Sequence, residues 1–397
     1  MDFNKDFPFL SKKITYLDNC ATTLKPTMVI DAISDYYMNY SANSNRGDYD
    51  ISLKVDDKIR SVRNKVANFI NANDDEIIFT SGTTDGLNKI IKGFFTHYLK
   101  ENDEVLTTKA EHASLLLPWF DVIKQTKSKI KYIDLENDLS VTLENVKNAV
   151  TKNTKVITLS HITNVIGDIR PIKEITKYAH EKGILVVLDA AQSIPHQKVD
   201  VNDLDVDFLA FSAHKMLGPT GVGILYGKKK YLDKVKPIIT GGGMNSFFDS
   251  LMNVGYKQLP ERLEARTLNI AGIFGFEKAI DYILKLGIDN IHKYEVDLKD
   301  YMIKRLSNLK NITIYNKDIK NGIVTFNVNG VFSQDVASYL NKKGICIRVG
   351  SHCAKMLYEV LGVKNTCRAS LYFYNTKEDV DKLVDALDNE NILYESL

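Results

Sequence analysis

The chain has 397 residues, and its 52 Lys and Arg against 50 Asp and Glu leave a net charge of +2, which gives no reason to expect nucleic acid or an anionic membrane as a partner. No stretch is apolar over the length of a membrane-spanning helix, and the N-terminus lacks the apolar block of a signal peptide. Four cysteines are too few for a disulfide framework in so long a chain, so we expect free thiols and a cytoplasmic protein.

Helical and strand patterns alternate over the first two thirds of the chain. Apolar residues from Val55 to Ile70 recur at helical spacing, and a short strand pattern from Glu76 to Phe79 follows. Further short β-rich runs are predicted at 104–108, 131–135, 155–160, 184–188, 207–212 and 222–226. Strands that alternate with helices predict an α/β fold with a mainly parallel, doubly wound sheet, which binds ligands at the carboxyl ends of its strands.

A second pattern begins after about Gly272. It predicts helices at 275–286, 291–309 and 333–343, strands at 312–315, 322–328, 345–349 and 368–374, and a last helix with an apolar stripe from Val380 to Leu387. We therefore expect a large domain over residues 19–272 and a smaller α/β domain formed by residues 1–18 and 273–397.

The run from Phe211 to Pro219 contains the most informative residue, Lys215. An earlier apolar stretch, 184–188, ends in Asp189. A lysine and a carboxylate placed in this way suit pyridoxal phosphate (PLP), because the amine forms a Schiff base with the cofactor aldehyde and the carboxylate keeps the pyridine nitrogen protonated. Taken alone, Lys215 would be one surface lysine among many, but other segments meet the needs of the same cofactor.

Three further segments supply groups that this cofactor needs. Thr83 and Thr84 follow a strand at the start of a helix, where backbone N–H groups bind phosphate. His112 lies on a loop after a strand, in position to stack on the pyridine ring. Asn164 also lies just past a strand and, with Gln192, could bond the phenolic oxygen of the cofactor.

With these residues the chain resembles the class V branch of the fold-type I PLP enzymes and, within it, the cysteine desulfurases of the SufS-like group. The resemblance runs from Tyr16–Thr23 to Cys367–Ser370, and its most specific parts are the blocks 189–215 and 348–354. It implies that the Schiff-base lysine is Lys215, the pyridinium partner Asp189, the stacking residue His112, the phenolic-oxygen ligands Asn164 and Gln192, and the phosphate ligands Thr83, Thr84, Ser212 and His214.

The resemblance also implies the reaction. Cys353, with Lys215 and His112 as the other catalytic residues, takes the sulfur of L-cysteine as a persulfide and leaves L-alanine. Arg368, with Asn19 and Arg348, binds the substrate. Thr267 reaches the phosphate of a neighbouring subunit, which implies a homodimer. The sulfur then passes to an acceptor protein of the SufE or SufU type, for the assembly of iron–sulfur clusters or another sulfur-containing cofactor.

The segment around Cys353 has its own chemistry. Arg348 and His352 lie close in sequence and are expected to favour the thiolate, the nucleophilic form of cysteine. Cys346, Cys353 and Cys367, with His352, are also potential zinc ligands. Their spacing matches no CxxC-type pattern, so we expect no metal site.

Four positions depart from the pattern of the family: Arg266 stands where Gly is usual, Tyr49 and Ser351 where His is usual, and Cys20 where Ala is usual. If the backbone at Arg266 has a positive φ, this residue strains its turn. Together the departures leave the choice of substrate and partner open.

Several alternative functions therefore remain. A selenocysteine lyase, a cysteine sulfinate desulfinase and an aminotransferase of the same class would use the same PLP site. A catalytically silent binding protein is disfavoured by the intact Lys215, Asp189 and Cys353. A dinucleotide-binding Rossmann protein is disfavoured because no G-x-G-x-x-G opens a helix near the start of the sheet.

Overall fold

The computed structural model of the protein describes residues 3–44, 47–389 and 391–396. Its strands are β1 Thr15–Tyr16, β2 Ile77–Thr80, β3 Glu104–Thr107, β4 Lys129–Tyr132, β5 Thr154–Ser160, β6 Leu185–Asp189, β7 Phe208–Ser212, β8 Gly223–Gly227, β9 Asn245–Phe248, β10 Val254–Tyr256, β11 Ile312–Ile314, β12 Ile323–Val328, β13 Ile345–Cys346, β14 Arg348–Gly350 and β15 Thr366–Ser370.

The helices lie mostly between these strands. They are α1 Thr27–Asp35, α2 Asp50–Ile70, α3 Thr83–Ile90, α4 Thr96–Tyr98, α5 Ala113–Thr126, α6 Leu143–Ala149, α7 Ile172–Glu181, α8 Val201–Leu204, α9 Lys229–Leu232, α10 Ile270–Leu286, α11 Ile288–Leu306, α12 Ser333–Lys342, α13 Leu357–Leu361, α14 Lys377–Leu387 and α15 Ile392–Ser396. No helix among the described residues is long and apolar enough to cross a membrane.

A seven-stranded sheet forms the centre of the molecule, with the strand order β2-β8-β7-β6-β5-β3-β4. The strands β4, β3, β5, β6 and β7 pair in parallel, whereas β8 runs antiparallel to both of its neighbours. Successive residues of a strand point to opposite faces, and in β6 they enter two different apolar cores: Val186 and Leu188 one, Leu185 and Val187 the other. Helices cover both faces, so the predicted α/β fold with a mainly parallel sheet is confirmed.

A smaller antiparallel sheet follows in the C-terminal part, in the order β11-β12-β15-β14. Its apolar side chains pack with those of α11, α12 and α14 in a separate core. Strand β1 pairs in parallel with β13 and thereby ties the N-terminal segment to this part of the chain. The predicted domain boundary near residue 272 falls inside α10, whose buried side chains belong to the core of the large sheet. The division into 19–272 and 1–18 with 273–397 stays a prediction.

Three predicted strands differ from the observed ones. The strand predicted at 131–135 is β4, which lies earlier, at Lys129–Tyr132. The strand predicted at 345–349 is two strands, because β13 pairs with β1 and the chain then crosses to pair β14 with β15. The strand predicted at 368–374 ends at Ser370. The aromatic residues that follow it are buried in the core of the large sheet, where Asn375 closes a turn by accepting a hydrogen bond from the Tyr372 N–H. Apolar periodicity cannot distinguish these cases, since it indicates which residues face a core and not which strand is the partner.

Candidate active site

One cavity, of about 220 Å³, is lined by all but three of the predicted site residues. It lies where β5, β6 and β7 end, beside the N-terminus of α3, and the small sheet forms its opposite wall. The predicted residues that line it are Thr83, Thr84, His112, Asn164, Asp189, Gln192, Ser212, His214, Lys215, Arg348 and Arg368. The cavity therefore brings together predicted residues that are far apart in sequence: Thr83 and Arg368 are separated by 285 positions.

Asp189 and Lys215 come from neighbouring strands. Asp189 is the last residue of β6, and Lys215 ends the short 3-10 turn that follows β7. Burial raises the pKa of the Asp189 carboxyl to about 6, although the nearby Lys215 lowers it. Burial likewise lowers the pKa of the Lys215 amine, and Asp189 opposes that change. A carboxylate that is ionised near neutral pH thus lies close to an amine that gives up its proton more readily than an exposed lysine.

The N-terminal segment clamps the turn that carries Lys215. The carbonyl oxygen of His214 accepts hydrogen bonds from Thr23 N at 3.1 Å and Lys25 Nζ at 2.8 Å. Thr23 Oγ1 in turn accepts from Leu217 N at 2.9 Å. Burial lowers the pKa of Lys25 to about 7. Sequence reasoning missed this clamp, because Thr23 and Lys25 are 191 and 189 residues from His214 and neither half carries a local signal.

His112 is the N-cap of α5. Its Nδ1 accepts a hydrogen bond from Ser114 N at 3.1 Å, so the proton of the neutral ring is on Nε2. Burial and the nearby charge of Lys215 lower the pKa of His112 to about 4. The imidazole is therefore neutral at physiological pH and has one N–H to donate.

The predicted phosphate ligands surround the N-terminus of α3. Ser212 Oγ accepts a hydrogen bond from Thr83 N at 2.7 Å, and Thr84 Oγ1 lies 2.7 Å from Ser114 Oγ. The backbone approaches closely here, because a Cβ at Gly223 would lie 2.4 Å from the Cα of Gly82. A helix N-terminus with hydroxyl groups around it is a suitable setting for a phosphate.

Arg368 and Arg348 lie side by side on neighbouring strands of the small sheet. They are register partners on β15 and β14, and both line the cavity. The Arg368 side chain is buried, with Nη1 donating to the Asn164 carbonyl at 2.7 Å and Nη2 lying 3.3 Å from Asp18 Oδ1. Two guanidinium groups in one wall suit a carboxylate ligand, which a planar guanidinium can bind with two hydrogen bonds.

Several buried polar atoms of the cavity wall have no hydrogen-bond partner within the described part of the chain. They are Asn164 Oδ1, Gln192 Oε1, His352 Nδ1 and Arg368 Nε. Leaving such an atom unpaired costs on the order of 1–3 kcal/mol, so these atoms fit a cavity made to receive a polar ligand. Together with the neighbouring Asp189 and Lys215, they fit the charged groups of PLP and of an amino acid.

Three predicted site residues do not line the cavity. Cys353 is exposed, on the loop after β14. Asn19 is buried behind the wall, where its Nδ2 donates to Ser370 O at 2.7 Å and its Oδ1 accepts from the Tyr374 hydroxyl. Thr267 borders a different pocket, beside Arg266. The residues around Asn19 do reach the cavity, since Cys20 and Ala21 form part of its wall.

The expectation that His352 promotes the Cys353 thiolate by its charge is wrong. Burial, with the charges of Arg368 and Arg348, lowers the pKa of His352 to about 3, so the ring is neutral. Its Nε2 instead pairs with Thr366 Oγ1 at 3.1 Å, which holds the ring against the small sheet. Sequence proximity suggested a catalytic imidazole, but burial removes its charge.

The cavity rests on a buried ion pair that sequence reasoning also missed. Arg170 pairs with Glu111, and both side chains are fully buried. Glu111 Oε2 accepts hydrogen bonds from Ser160 N at 2.9 Å and Ser160 Oγ at 2.6 Å. Since Glu111 precedes His112 and Ser160 ends β5, this network fixes two sides of the cavity to each other. Other wall residues without a sequence signal are Ser114, Ser160, Ile162 and Ala191.

Comparison with known proteins agrees with this geometry. The aminotransferase class-V family model matches residues 15–383. A probable cysteine desulfurase of Halalkalibacterium halodurans is 42% identical over 393 residues, which cover 98% of this chain and 97% of that protein. A cysteine desulfurase of Haloferax volcanii is 37% identical, with 98% and 96% covered.

Solved structures give the same result. The apo structure of a cysteine desulfurase from Thermococcus onnurineus superposes with a TM-score of 0.93 at 35% identity and covers 97% of this chain and 96% of that one. The Escherichia coli cysteine desulfurase CsdA gives 0.91 at 32% identity, with the same coverage. The chain belongs to the PLP-dependent aminotransferase class-V family and, within it, to the cysteine desulfurases.

Proposed function

We propose that the protein converts L-cysteine to L-alanine and holds the released sulfur as a persulfide on Cys353. The observation that carries this proposal is the position of the exposed Cys353. Its carbonyl oxygen accepts a hydrogen bond from Ala113 N at 2.7 Å, next to His112 in the cavity wall. A thiol at this place can reach both a substrate in the cavity and a sulfur acceptor in solution.

PLP supplies an electron sink for the electrons of the substrate Cα when it is bound. We assign Lys215 to hold its aldehyde and Asp189 to pair with its pyridine nitrogen. Gln192 and Asn164 would bond its phenolic oxygen, and His112 would stack on its ring. The phosphate is assigned to the group at the start of α3, namely Thr83, Thr84, Ser212 and His214. Burial lowers the pKa of His214 to about 4, so that ring is a neutral partner.

The substrate carboxylate is assigned to Arg368 and Arg348. Among the described residues Arg368 Nε has no hydrogen-bond partner, whereas Nη1 and Nη2 are already bonded to Asn164 and Asp18. The partners within the protein hold the guanidinium plane in place and leave one edge for the ligand. With the carboxylate fixed, Lys215 Nζ is the base for the Cα proton, because its lowered pKa favours the neutral amine.

Cys353 then attacks the substrate sulfur as a thiolate. A sulfur–sulfur bond forms, the substrate carbon–sulfur bond breaks, and the bonding electrons stay with the carbon, which takes up a proton to give alanine. The proton that Cys353 loses on becoming a thiolate balances the one that the carbon takes up, and the neutral His112 ring can donate a hydrogen bond from Nε2 at this stage. The sulfur remains on Cys353 as a persulfide.

The sulfur acceptor and the assembly state belong to the same proposal. We infer an acceptor protein of the SufE or SufU type, in the service of iron–sulfur cluster or other sulfur-cofactor assembly, and a cytoplasmic setting in which the four unpaired cysteines stay reduced. The resemblance assigns Thr267 to the cavity of a neighbouring chain. Its position outside the cavity of its own chain, where its Oγ1 accepts a hydrogen bond from Asn43 Nδ2 at 3.4 Å, supports a homodimer.

Alanine released from L-cysteine by the PLP-loaded protein, with a reductant present, tests the proposal. The wild type is expected to release alanine, and Cys353→Ala at most about one hundredth as much, since the variant lacks the nucleophile. Cys346→Ala is the matched control: this half-buried thiol does not line the cavity, and the variant should keep wild-type turnover.

Other outcomes favour the alternatives. If neither protein releases alanine from cysteine, but Cys353→Ala releases alanine from selenocysteine, the protein is a selenocysteine lyase. Turnover only of cysteine sulfinate would indicate a desulfinase. Turnover that requires an α-keto acid and releases no sulfide would indicate an aminotransferase. No turnover of any of these by a protein with normal cofactor absorption would contradict the enzyme proposal.

A further inference from the structure

The loop that carries Cys353 is held to the large sheet by two backbone carbonyls. His352 O accepts a hydrogen bond from Asn164 Nδ2 at 2.7 Å, and Cys353 O accepts one from Ala113 N at 2.7 Å. Asn164 follows β5 and Ala113 begins α5, so both donors sit on the rim of the cavity. The two donors therefore fix the loop to the same elements that form the cofactor site.

The conformation of the loop explains why consecutive carbonyls are captured. His352 has φ 48° and Cys353 has φ 58°, both in the left-handed region. Successive carbonyls of a helical conformation point the same way, whereas those of a strand alternate. For residues other than glycine this conformation is strained, so it persists only where the surroundings hold it. The anchors are the contacts that can offset this strain.

Asn164 links three parts of the site. An amide nitrogen carries two N–H groups, so Asn164 Nδ2 can donate to His352 O and still keep one N–H for a ligand. Its backbone carbonyl accepts from Arg368 Nη1 at 2.7 Å. The residue assigned to the cofactor thus also contacts the loop of the nucleophile and the arginine assigned to the substrate.

We propose that Asn164 and the Ala113 N–H are positioning groups, which hold the Cys353 loop over the cavity and set the reach of its thiol. The proposal rests on the proposed role of Cys353 as the nucleophile. Its direct consequence is that loss of either hydrogen bond loosens the loop without disturbing the cofactor pocket floor around Asp189 and Lys215.

Ala113→Pro is the most selective test. Ala113 is the first residue of α5, where proline is tolerated, and His112 before it is extended with φ −66° and ψ 145°, as a residue before proline prefers. The variant removes the N–H and leaves the helix intact. Lys377→Pro is the matched control, since Lys377 is also the first residue of a helix after an extended residue, Thr376, and does not line the cavity.

Hydrogen–deuterium exchange of the PLP-loaded proteins gives a readout that does not depend on turnover. Exchange in a peptide covering residues 351–357 should be roughly fivefold faster in Ala113→Pro than in wild type and unchanged in Lys377→Pro, because one hydrogen bond of the closed loop is lost. In cysteine turnover, kcat should fall by a similar factor while KM stays unchanged, since Arg368 keeps its contacts.

Asn164→Asp provides an independent variant if Ala113→Pro folds poorly. It keeps the size of the side chain and replaces the donor by an acceptor, so the same peptide should exchange faster while cofactor absorption reports the occupancy of the site. Unchanged exchange at 351–357 in both variants would overturn the proposal. If the loop loosens but wild type releases no alanine from cysteine, the positioning role stands and the proposed function fails.

Discussion

Arg266 occupies a backbone conformation that suits glycine. Its φ is 124°, in the region where a side chain strains the turn, and glycine is usual at this position in the family that the sequence resembles. Its Nη2 lies 3.1 Å from Asp85 Oδ2, and the Arg266 side chain is partly exposed. Solvent at the partly exposed Arg266 screens this ion pair, so it does not offset the strain in full.

Arg266→Gly should therefore raise the free energy of unfolding by about 1 kcal/mol, since it removes the strained Cβ. Chemical denaturation measures the change. Arg266→Ala is the control, because it loses the same ion pair but keeps the Cβ, and it should be no more stable than wild type. Equal stabilities of the Gly and Ala variants would contradict a strained turn.

The ionised Asp189 should lower the free energy of unfolding of the cofactor-free protein at neutral and alkaline pH. Its pKa in the folded state, about 6, lies above the ordinary value of 3.8 because the carboxyl is buried. A raised acid pKa means that ionisation opposes folding, increasingly as the pH rises from about 4 to 6 and fully above that. Asp189→Asn removes this cost, so the cofactor-free variant should be about 2 kcal/mol more stable than wild type at about pH 8.

Denaturation of the two cofactor-free proteins across this pH range checks the sign. The difference should shrink as the pH falls below about 6 and disappear near the ordinary value for aspartate. With PLP bound, the Asp189→Asn variant should instead be less stable than wild type, and it should retain the cofactor more weakly. A difference that does not change with pH would argue that Asp189 is not ionised in the folded protein.

At the scale of elements, His180 ties the last turn of α7 to the start of β7. Its Nδ1 lies 3.0 Å from Asp205 Oδ2 and its Nε2 lies 2.9 Å from Asp207 Oδ2. The hydrogen bond to Asp207 raises the pKa of His180 above its ordinary value of 6.5. The resulting stabilisation is fully present below the ordinary value and is lost as the pH rises through the raised one.

His180→Gln should therefore destabilise the protein more at acidic than at alkaline pH. We expect a difference of about 0.5–1 kcal/mol between pH 5.5 and 8.5, a small value because the histidine is partly exposed and solvent screens the pair. Thermal or urea denaturation at the two pH values measures it. Equal destabilisation by His180→Gln at the two pH values would contradict a stabilising charge on His180.

At the scale of the whole molecule, the hairpin β9–β10 displays apolar side chains to solvent. Phe248, Leu251 and Met252 are each at least 75% exposed. Contiguous exposed apolar groups of this kind mark interaction sites. Thr267, the residue expected to serve a neighbouring subunit, follows the hairpin in sequence. Both features support the proposed homodimer.

Leu251→Asp together with Met252→Asp should convert the dimer to a monomer, because burying two carboxylates in an apolar interface is costly. Light scattering coupled to gel filtration reads the mass directly. Leu284→Asp, at another exposed leucine, should stay dimeric. Thr267→Ala should keep the dimer but retain PLP more weakly. A wild-type protein that runs as a monomer would contradict this assembly.

The sequence by itself determined the fold class and most of the chemistry. Alternating apolar runs define strands and helices locally, and Lys215 and Asp189 lie on segments whose ends a parallel sheet brings together. For that reason the cavity contains all but three of the predicted residues. These features depend on local periodicity and on a topology rule, both of which a single sequence carries.

The tertiary structure alone decided which groups are charged and what holds them. His352 looked like a partner of Cys353 in sequence, but burial makes it neutral. The clamp on His214 by Lys25 and the anchoring of Cys353 by Ala113 join segments 189 and 240 residues apart. Burial and long-range hydrogen bonds depend on how the whole chain packs, and no local pattern encodes them.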